Sequence, residues 1–224
     1  MTRTSSFLEL RAAVAAAARE LAVAGLFPGT AGNVSAREGG VVALTATGAD
    51  LANTSSEEVT VVDLDGQIVA GDLAPTSETA LHLGVYRSAP ESAAGAVVHT
   101  HSRMATALST VVDEVPVLHY AQLALGGALR VAPFHPFGSA ELARAVGTAL
   151  DGRLAALMAN HGCVALGADL DAASRNALLT EWLCELQWHA SAIGQPRALT
   201  GQQQRSVLEA AARMSYGATR KARP

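Results

Sequence analysis

Two histidines, His99 and His101, are separated by one residue in the stretch GAVVHTHS, where they follow a run of apolar residues. In a β-strand alternate side chains share a face, so this pair projects to one side of the strand, about 7 Å apart along the chain. Two imidazoles placed in this way can converge on one metal ion. Such pairs also occur in strands that bind no metal, so the spacing alone leaves both interpretations open.

Two further residues favour a metal site. His161 stands next to a glycine at a predicted strand break, where its side chain can face a cleft, and Glu78 lies in the first turn of a predicted helix. Three neutral imidazoles with a carboxylate or a water complete a tetrahedral zinc site that keeps one position for a substrate. Each residue also has a plain structural explanation, since a turn histidine can bond to backbone and an acid favours a helix N-terminus.

Three segments rich in small residues offer a second kind of chemistry. They are GTAGNVS at residues 29–35, ATG at residues 46–48, and the helix start at Thr76 and Ser77. Backbone N–H groups in such loops and at helix N-termini bind anions, so the segments could together form a phosphate pocket. No Walker or Rossmann spacing is present. A helix-to-strand turn explains the first segment equally well.

The composition limits the class of protein. A length of 224 residues predicts a single domain over residues 1–224, and half of the residues are hydrophobic, enough for a large core. A net charge of -4 and a pI near 6.0 argue against nucleic-acid binding. Charged residues interrupt the apolar N-terminal segment, so we expect neither a signal peptide nor a membrane span. We therefore expect a cytoplasmic protein.

The elements that must position these residues follow from hydrophobic period and from glycine and proline. Residues 25–35 are interpreted as a glycine-rich connection. Helices are predicted for the alanine-rich N-terminal segment and for residues 75–90, 141–150, 171–193 and 202–214. Strands are predicted within residues 41–48, 59–71 with a turn at Asp65-Gly66, 95–102, 129–134, and in two halves of 154–167. This interleaving indicates a layered α/β sheet protein.

The ordered set of motifs resembles the class II aldolase/adducin family, and within it most closely the L-fuculose-1-phosphate aldolases. The resemblance spans nearly the whole chain and depends on eight segments: GLFPGTAGNVS, TATG, PTSETALH, AVVHTHS, PVLHYAQLALGG, APFHPFG, ANHGCVA and SYG. The family fold that it implies is a three-layer α/β/α arrangement, with a central, mostly antiparallel sheet flanked by helices. The resemblance also implies a homotetramer with active sites at subunit interfaces.

The resemblance implies a role for each matching residue. His99, His101 and His161 would bind Zn²⁺ or another divalent metal, and Glu78, the catalytic acid/base, would approach the metal when substrate is absent. The substrate phosphate would be held by Asn33, Thr47, Gly48, Thr76 and Ser77. An aromatic wall for the aldehyde would come from Phe137, while two tyrosines would complete the catalytic set, Tyr120 reaching a neighbouring subunit and Tyr216 closing the site.

The implied reaction is reversible cleavage of a ketose 1-phosphate to dihydroxyacetone phosphate and a small aldehyde through a metal-stabilised enediolate. Three departures narrow the match. Thr76 stands where the close aldolases commonly carry serine, Arg213 replaces a late aromatic residue, and the end GATRKARP is not the aldolase ending. The sugar phosphate could therefore be L-fuculose 1-phosphate, a 5-deoxypentulose phosphate or another deoxy-sugar phosphate.

Three other activities stay open at this stage. Methylthioribulose-1-phosphate dehydratases share the zinc histidines but eliminate water. Pentulose-phosphate 4-epimerases carry aspartate at the position of Glu78 and need a further aspartate in a segment that here reads LHYAQLAL, without any acid. An adducin-like interaction module needs no metal site, which disfavours it here, where all three histidines and Glu78 are present.

Overall fold

The structure of the protein, a computed structural model, describes residues 3–90 and 93–214. Its strands are β1 (Asn33–Glu38), β2 (Val41–Thr45), β3 (Val59–Asp63), β4 (Ile68–Ala70), β5 (Ala96–Thr100), β6 (Glu114–Val115), β7 (Leu129–Ala132), β8 (Ala155–Met158) and β9 (Gly162–Gly167). They form one sheet in the order β4-β3-β2-β1-β5-β9-β8-β7-β6. Every neighbouring pair is antiparallel except β7 and β8, which are parallel.

Helices cover both faces of this sheet. They are α1 (Arg3–Val23), α2 (Thr79–Ser88), α3 (Arg103–Ser109), α4 (Ala140–Ala149), α5 (Leu170–Ile193) and α6 (Gly201–Met214), with short 3₁₀ turns at Ser56–Glu58 and Tyr120–Leu125. One core joins buried residues of α1, α3 and α5 to one face of the sheet, and a second core joins α2 and α4 to the other face. The predicted three-layer α/β/α fold with a mostly antiparallel sheet is confirmed.

The alternation of side chains along β5 explains how both cores meet at one strand. Ala96 and Val98 belong to the core under α1, α3 and α5, whereas Val97 belongs to the core under α2 and α4. His99 follows Val97 by two positions, so it projects toward the α2 side of the sheet. This register directs the first histidine of the pair toward the segment that carries Glu78.

Three elements differ from the sequence prediction. The helix predicted from Pro75 begins at Thr79, because Pro75 forms a β-bridge with Ala46 and the Thr76 N–H donates to the Thr45 carbonyl at 3.0 Å, which keeps this segment extended. The predicted glycine-rich connection already contains the first residues of β1. Helix α3 was not predicted at all.

Tyr216 lies outside the described residues. Among the residues that the structure describes, no helix combines the length and the apolar character that crossing a bilayer requires.

Candidate metal centre and its cavity

Four side chains from separate parts of the fold meet at one point. Each of Glu78, His99, His101 and His161 offers one ligand atom, and the four atoms lie within 4.8 Å of one another. The three imidazole rings surround a common centre, with ring centroids 4.7 to 4.9 Å apart. The structure therefore brings together all four residues that the sequence analysis singled out for a metal.

The histidines are positioned by the sheet. On β5, His99 pairs with Asn33 of β1 and Val164 of β9, and His101 follows the strand end. His161 lies in the β8–β9 turn, where Asn160 has a φ of 57°. The residue after His161 must be glycine, because a Cβ on Gly162 would lie 2.1 Å from the Thr100 carbonyl oxygen. The turn thus approaches the end of β5 closely enough for the three rings to meet.

A backbone hydrogen bond determines which nitrogen of His99 faces the centre. The His99 Nδ1 lies 2.9 Å from the Cys163 carbonyl oxygen, which can only accept, so Nδ1 carries the proton. In a neutral ring Nε2 then holds a lone pair. The Nε2 atom lies 3.0 Å from His101 Nε2 and 2.8 Å from Glu78 Oε2. Atoms that each carry lone pairs repel one another at these distances unless a cation lies among them, either a metal ion or, in the metal-free cluster, a proton on His99 Nε2.

Three of the separations between these atoms are close to those found around a divalent metal. Zinc–nitrogen bonds of roughly 2.0–2.1 Å at tetrahedral angles place neighbouring ligand atoms about 3.3 Å apart. The observed separations are 2.8 Å between Glu78 Oε2 and His99 Nε2, 3.0 Å between the Nε2 atoms of His99 and His101, and 3.5 Å between Glu78 Oε1 and His161 Nε2. The residues present can therefore hold such an ion.

Protonation states also suit metal binding. Burial, followed by the nearby charge of His99, lowers the pKa of His101 to about 4, and the same two causes lower the pKa of His161. Both rings are consequently neutral near pH 7 and can act as ligands. Burial alone would raise the pKa of Glu78, but the charge and hydrogen bond of His99 and a hydrogen bond from Asn33 together hold it well below its ordinary value.

Glu78 is placed just before α2 rather than inside its first turn. It occupies the N-cap position, yet its side chain makes no capping hydrogen bond, and its backbone N–H donates to Thr76 Oγ1 at 3.2 Å. Among the described residues, its buried Oε1 atom has no hydrogen-bond partner, while Oε2 accepts from Asn33 Nδ2 at 3.1 Å. The carboxylate is therefore available to a metal or a proton.

A cavity of about 710 Å³ opens beside this cluster. Glu78, His101 and His161 line it, and so do all five residues predicted to hold a phosphate: Asn33, Thr47, Gly48, Thr76 and Ser77. The backbone N–H groups of Thr47 and Thr76 already donate to the carbonyls of Ala74 and Thr45. These two threonines can therefore offer an anion their hydroxyl groups.

The aromatic residues show a mixed outcome. Phe137 lines the cavity and is 72% exposed, which places it at the mouth. Tyr120 is absent from the cavity wall of this chain; it stacks on His119 with ring centroids 4.3 Å apart and is 43% exposed. Its predicted reach into a neighbouring subunit stays a prediction, as does the role of Tyr216.

Sequence reasoning missed one residue that supports the histidine pair. Glu181 on α5 accepts hydrogen bonds from Ser102 Oγ at 2.7 Å, Met104 N at 2.7 Å and Ala105 N at 2.9 Å, and so caps α3 directly after His101. Its position between the buried Ala177 and Cys184, at helical spacing, is a signal that could have revealed it. An acid on a buried helix face needs a partner.

It also missed the side-chain partners of Asn33. This residue was assigned to the phosphate pocket, yet its amide bridges Glu78 and His82, with His82 Nε2 lying 2.5 Å from Asn33 Oδ1. The sequence signal is the polar series Glu78, His82 and Tyr86, which repeats every four residues along one side of α2.

Known proteins are similar to this chain in sequence and in fold. A 5-methylthioribulose-1-phosphate/5-deoxyribulose-1-phosphate aldolase of Rhodospirillum rubrum is 35% identical over 205 residues, which are 91% of each chain. A 5-deoxy-D-ribulose 1-phosphate aldolase of Bacillus thuringiensis is 33% identical over 84% of this chain and 89% of its own. A solved L-fuculose 1-phosphate aldolase superposes with a TM-score of 0.86 at 28% identity, covering 90% of this chain and 95% of its own.

The family model described as the Class II Aldolase and Adducin N-terminal domain matches residues 12–188. This range contains the four residues of the cluster and every described residue of the predicted phosphate pocket. The chain therefore belongs to the class II aldolase and adducin family.

Proposed function

We propose that this protein is a metal-dependent aldolase that reversibly cleaves a deoxy-ketose 1-phosphate to dihydroxyacetone phosphate and a small aldehyde. The observation that carries the proposal is the meeting of Glu78 with three imidazoles at the wall of a cavity that the anion-binding segments also line. The imidazole-rich donor set favours zinc. An interaction module would have no use for this arrangement.

The proposed roles divide between binding and proton transfer. His99, His101 and His161 hold the metal, which when bound polarises a carbonyl group and stabilises negative charge on its oxygen. In the synthetic direction Glu78 would remove a proton from the carbon next to that carbonyl. In cleavage the hydroxyl of the carbon that becomes the aldehyde loses its proton as the C3–C4 bond breaks, and Glu78 in its protonated form would deliver a proton to C3. The neighbouring His99 and Asn33 lower its pKa and keep the carboxylate ionised in the metal-free cluster.

The phosphate would be anchored away from the bond that breaks. The hydroxyls of Thr47, Thr76 and Ser77, with Gly48 and Asn33, line the part of the cavity assigned to it. Anchoring a part of the substrate that does not react orients the carbon chain toward Glu78. The hydroxyl at Thr76 performs this role as serine would.

For the aldehyde half we propose a small aliphatic group at the cavity mouth beside Phe137. The names of the relatives indicate three substrates: 5-methylthioribulose 1-phosphate, 5-deoxyribulose 1-phosphate and L-fuculose 1-phosphate. We propose a homotetramer in which Tyr120 of one subunit completes the site of another and Tyr216 closes it. A size measurement in solution, with cleavage by Tyr120→Phe, tests that arrangement.

The primary experiment measures metal content together with cleavage. Wild type and Glu78→Gln are assayed with L-fuculose 1-phosphate and with 5-deoxyribulose 1-phosphate, and dihydroxyacetone phosphate is detected. We expect near one zinc per chain in both proteins, and cleavage by wild type only. Glu141→Gln, at an exposed position on α4, is the matched control.

The remaining outcomes contradict the proposal in different ways. Metal without any dihydroxyacetone phosphate would shift the assignment to a dehydratase or to a different sugar phosphate. A protein that binds no metal would exclude the aldolase mechanism.

A further inference from the structure

A chain of buried polar side chains leads from the interior of the protein to the cluster. Tyr86 OH lies 2.7 Å from Ser35 Oγ, and Ser35 Oγ lies 2.6 Å from His82 Nδ1. His82 Nε2 lies 2.5 Å from Asn33 Oδ1, and Asn33 Nδ2 lies 3.1 Å from Glu78 Oε2. None of the five residues is more than 5% exposed. Metal binding and the proposed proton transfer use only the last of them, Glu78.

The hydrogen bonds between these five side chains can run in one direction only, with each group donating toward Glu78. An ionised Glu78 carboxylate can only accept, so the Asn33 amide must donate through Nδ2 and accept through Oδ1. His82 Nε2 therefore carries a proton, and its Nδ1 accepts one from the Ser35 hydroxyl. Ser35 in turn accepts from Tyr86. Burial lowers the pKa of His82 to about 3 and raises that of Tyr86, which keeps the imidazole neutral and the phenol protonated.

This direction has a consequence for the carboxylate. If His82 did not donate to Asn33 Oδ1, the amide could rotate by half a turn and place its oxygen against Glu78 Oε2. Two acceptors would then face each other in a buried site, which is costly. With the amide fixed, Oε2 is held by Asn33. Oε1, which accepts no hydrogen bond from any described residue and lies 3.5 Å from His161 Nε2, is the oxygen available for proton transfer.

We infer that His82 is a positioning residue, which fixes the Asn33 amide so that Glu78 exchanges its proton through Oε1. The inference rests on the proposed aldolase function. It assigns His82 no contact with the substrate, and the effect on the reaction passes through Asn33 and Glu78.

Two substitutions of His82 separate this role from packing. In His82→Gln the side-chain nitrogen can occupy the place of Nε2, which keeps the bond to Asn33 and gives up the bond to Ser35. In His82→Asn the side chain reaches only the place of Nδ1, which keeps the bond to Ser35 and gives up the bond to Asn33. Each variant retains one hydrogen bond of the two.

The expected result is a fall in kcat of about 10–100-fold for His82→Asn, as for other outer partners of metal ligands, with kcat of His82→Gln close to wild type. KM is expected to change little in either variant, and both should fold and retain metal. Equal losses in the two variants would overturn the inference in favour of packing. A rise in KM at unchanged kcat would also overturn the inference, because it would show that the series of hydrogen bonds serves phosphate binding through Asn33.

A spectroscopic measurement tests the hydrogen-bond direction independently of any activity assay. In ¹⁵N-histidine-labelled protein, with and without metal, His82 should be the neutral tautomer protonated at Nε2, and His99 the one protonated at Nδ1. An Nδ1-protonated His82 would overturn the inference. If wild type showed this tautomer but cleaved no sugar phosphate, the aldolase proposal and the positioning role of His82 would both fail, whereas the direction of the hydrogen bonds from Tyr86 to Glu78 would stand.

Discussion

The histidines and the glutamate of the cluster are supported in different ways. On the histidine side, His99 is fixed by sheet pairing and by the Cys163 carbonyl, and His161 by a turn that only glycine allows. On the carboxylate side, Glu78 precedes α2 and is oriented by other side chains, Asn33 first among them. The backbone thus positions His99 and His161, and a side-chain network orients Glu78.

This difference suits the role proposed for each group. A metal ligand has to keep one place, and backbone hydrogen bonds within a sheet provide that. A group that both approaches the metal and exchanges protons needs an atom left free, and the Asn33 contact leaves Oε1 without a hydrogen bond among the described residues. Substitutions on the two sides should therefore fail in different ways.

The largest expected effect separates the two sides directly. His161→Ala removes a ligand and should lose both metal and cleavage. Glu78→Gln keeps three imidazoles and should retain metal while kcat falls about 10²–10⁴-fold, the usual contribution of a general acid or base. Metal analysis and steady-state kinetics on both variants check this. Loss of metal from Glu78→Gln would show that the carboxylate is a structural ligand instead.

The second prediction tests the support behind His101. Glu181→Gln weakens the cap on α3, because an amide places N–H hydrogens where the carboxylate accepted three hydrogen bonds. We expect the free energy of unfolding to fall by about 1–3 kcal/mol, and metal affinity to fall by about 10–100-fold. Chemical denaturation and metal titration measure these changes.

The matched control lies one turn further along α5. Glu185→Gln changes an exposed acid whose contact is His189, 3.6 Å away, and should alter neither quantity. If both variants behaved alike, the Glu181 cap would have no specific part in holding the metal site.

The third prediction concerns pH and the metal-free protein. The folded-state pKa of His82 is about 3 and that of His101 about 4, whereas an unfolded histidine titrates near 6.5. Between these values the unfolded chain binds protons that the folded chain does not, so the free energy of unfolding falls as pH falls below about 6.5. The buried His82 contributes up to about 1.4 kcal/mol per pH unit.

Urea unfolding at pH 7, 6 and 5 in the presence of a chelator measures this slope. His82→Gln removes one of the titrating groups and should flatten it. Stability that stayed constant or rose on acidification would show that the buried imidazoles are not held neutral.

The smallest effect is expected at the far end of the polar chain. Tyr86→Phe removes the hydroxyl that donates to Ser35 but leaves the bonds from Ser35 through His82 to Asn33 and Glu78 in place. We expect about 1 kcal/mol of lost stability and little change in kcat. A kcat loss as large as that of His82→Asn would mean that the chain acts as one cooperative unit.

Much of the fold was predictable because its elements carry strong periodic signals. The strand at residues 96–100 is apolar enough, and the helix at residues 170–193 long enough, to be predicted from the local sequence. By contrast, β1 reads NVSARE, a sequence of weak strand preference that is stabilised by pairing with β2 and β5. Helix α3 depends on a cap from Glu181, which is distant in sequence, so local signals could not reveal it.

The candidate site shows the same division. The His99 and His101 spacing predicted that both side chains face one side of a strand, although the spacing alone left metal binding open and His101 follows the end of β5. The glycine after His161 predicted a turn. The place of Glu78 before the helix could not be predicted, because it depends on the bridge between Pro75 and Ala46. The orientation of Asn33 depends on His82, and such partnerships across elements are not visible in spacing.

The sheet order also determines how the centre survives local opening. Strand β5 has four strands on each side. Its neighbour β9 begins directly after His161, and its other neighbour β1 carries Asn33, which donates a hydrogen bond to Glu78. Edge strands fray first in native-state fluctuations, and central strands open only with the whole domain. Amides of β5 should therefore exchange with solvent at rates set by global unfolding. A protein nicked or frayed at β4 or β6 would keep its three histidines in place.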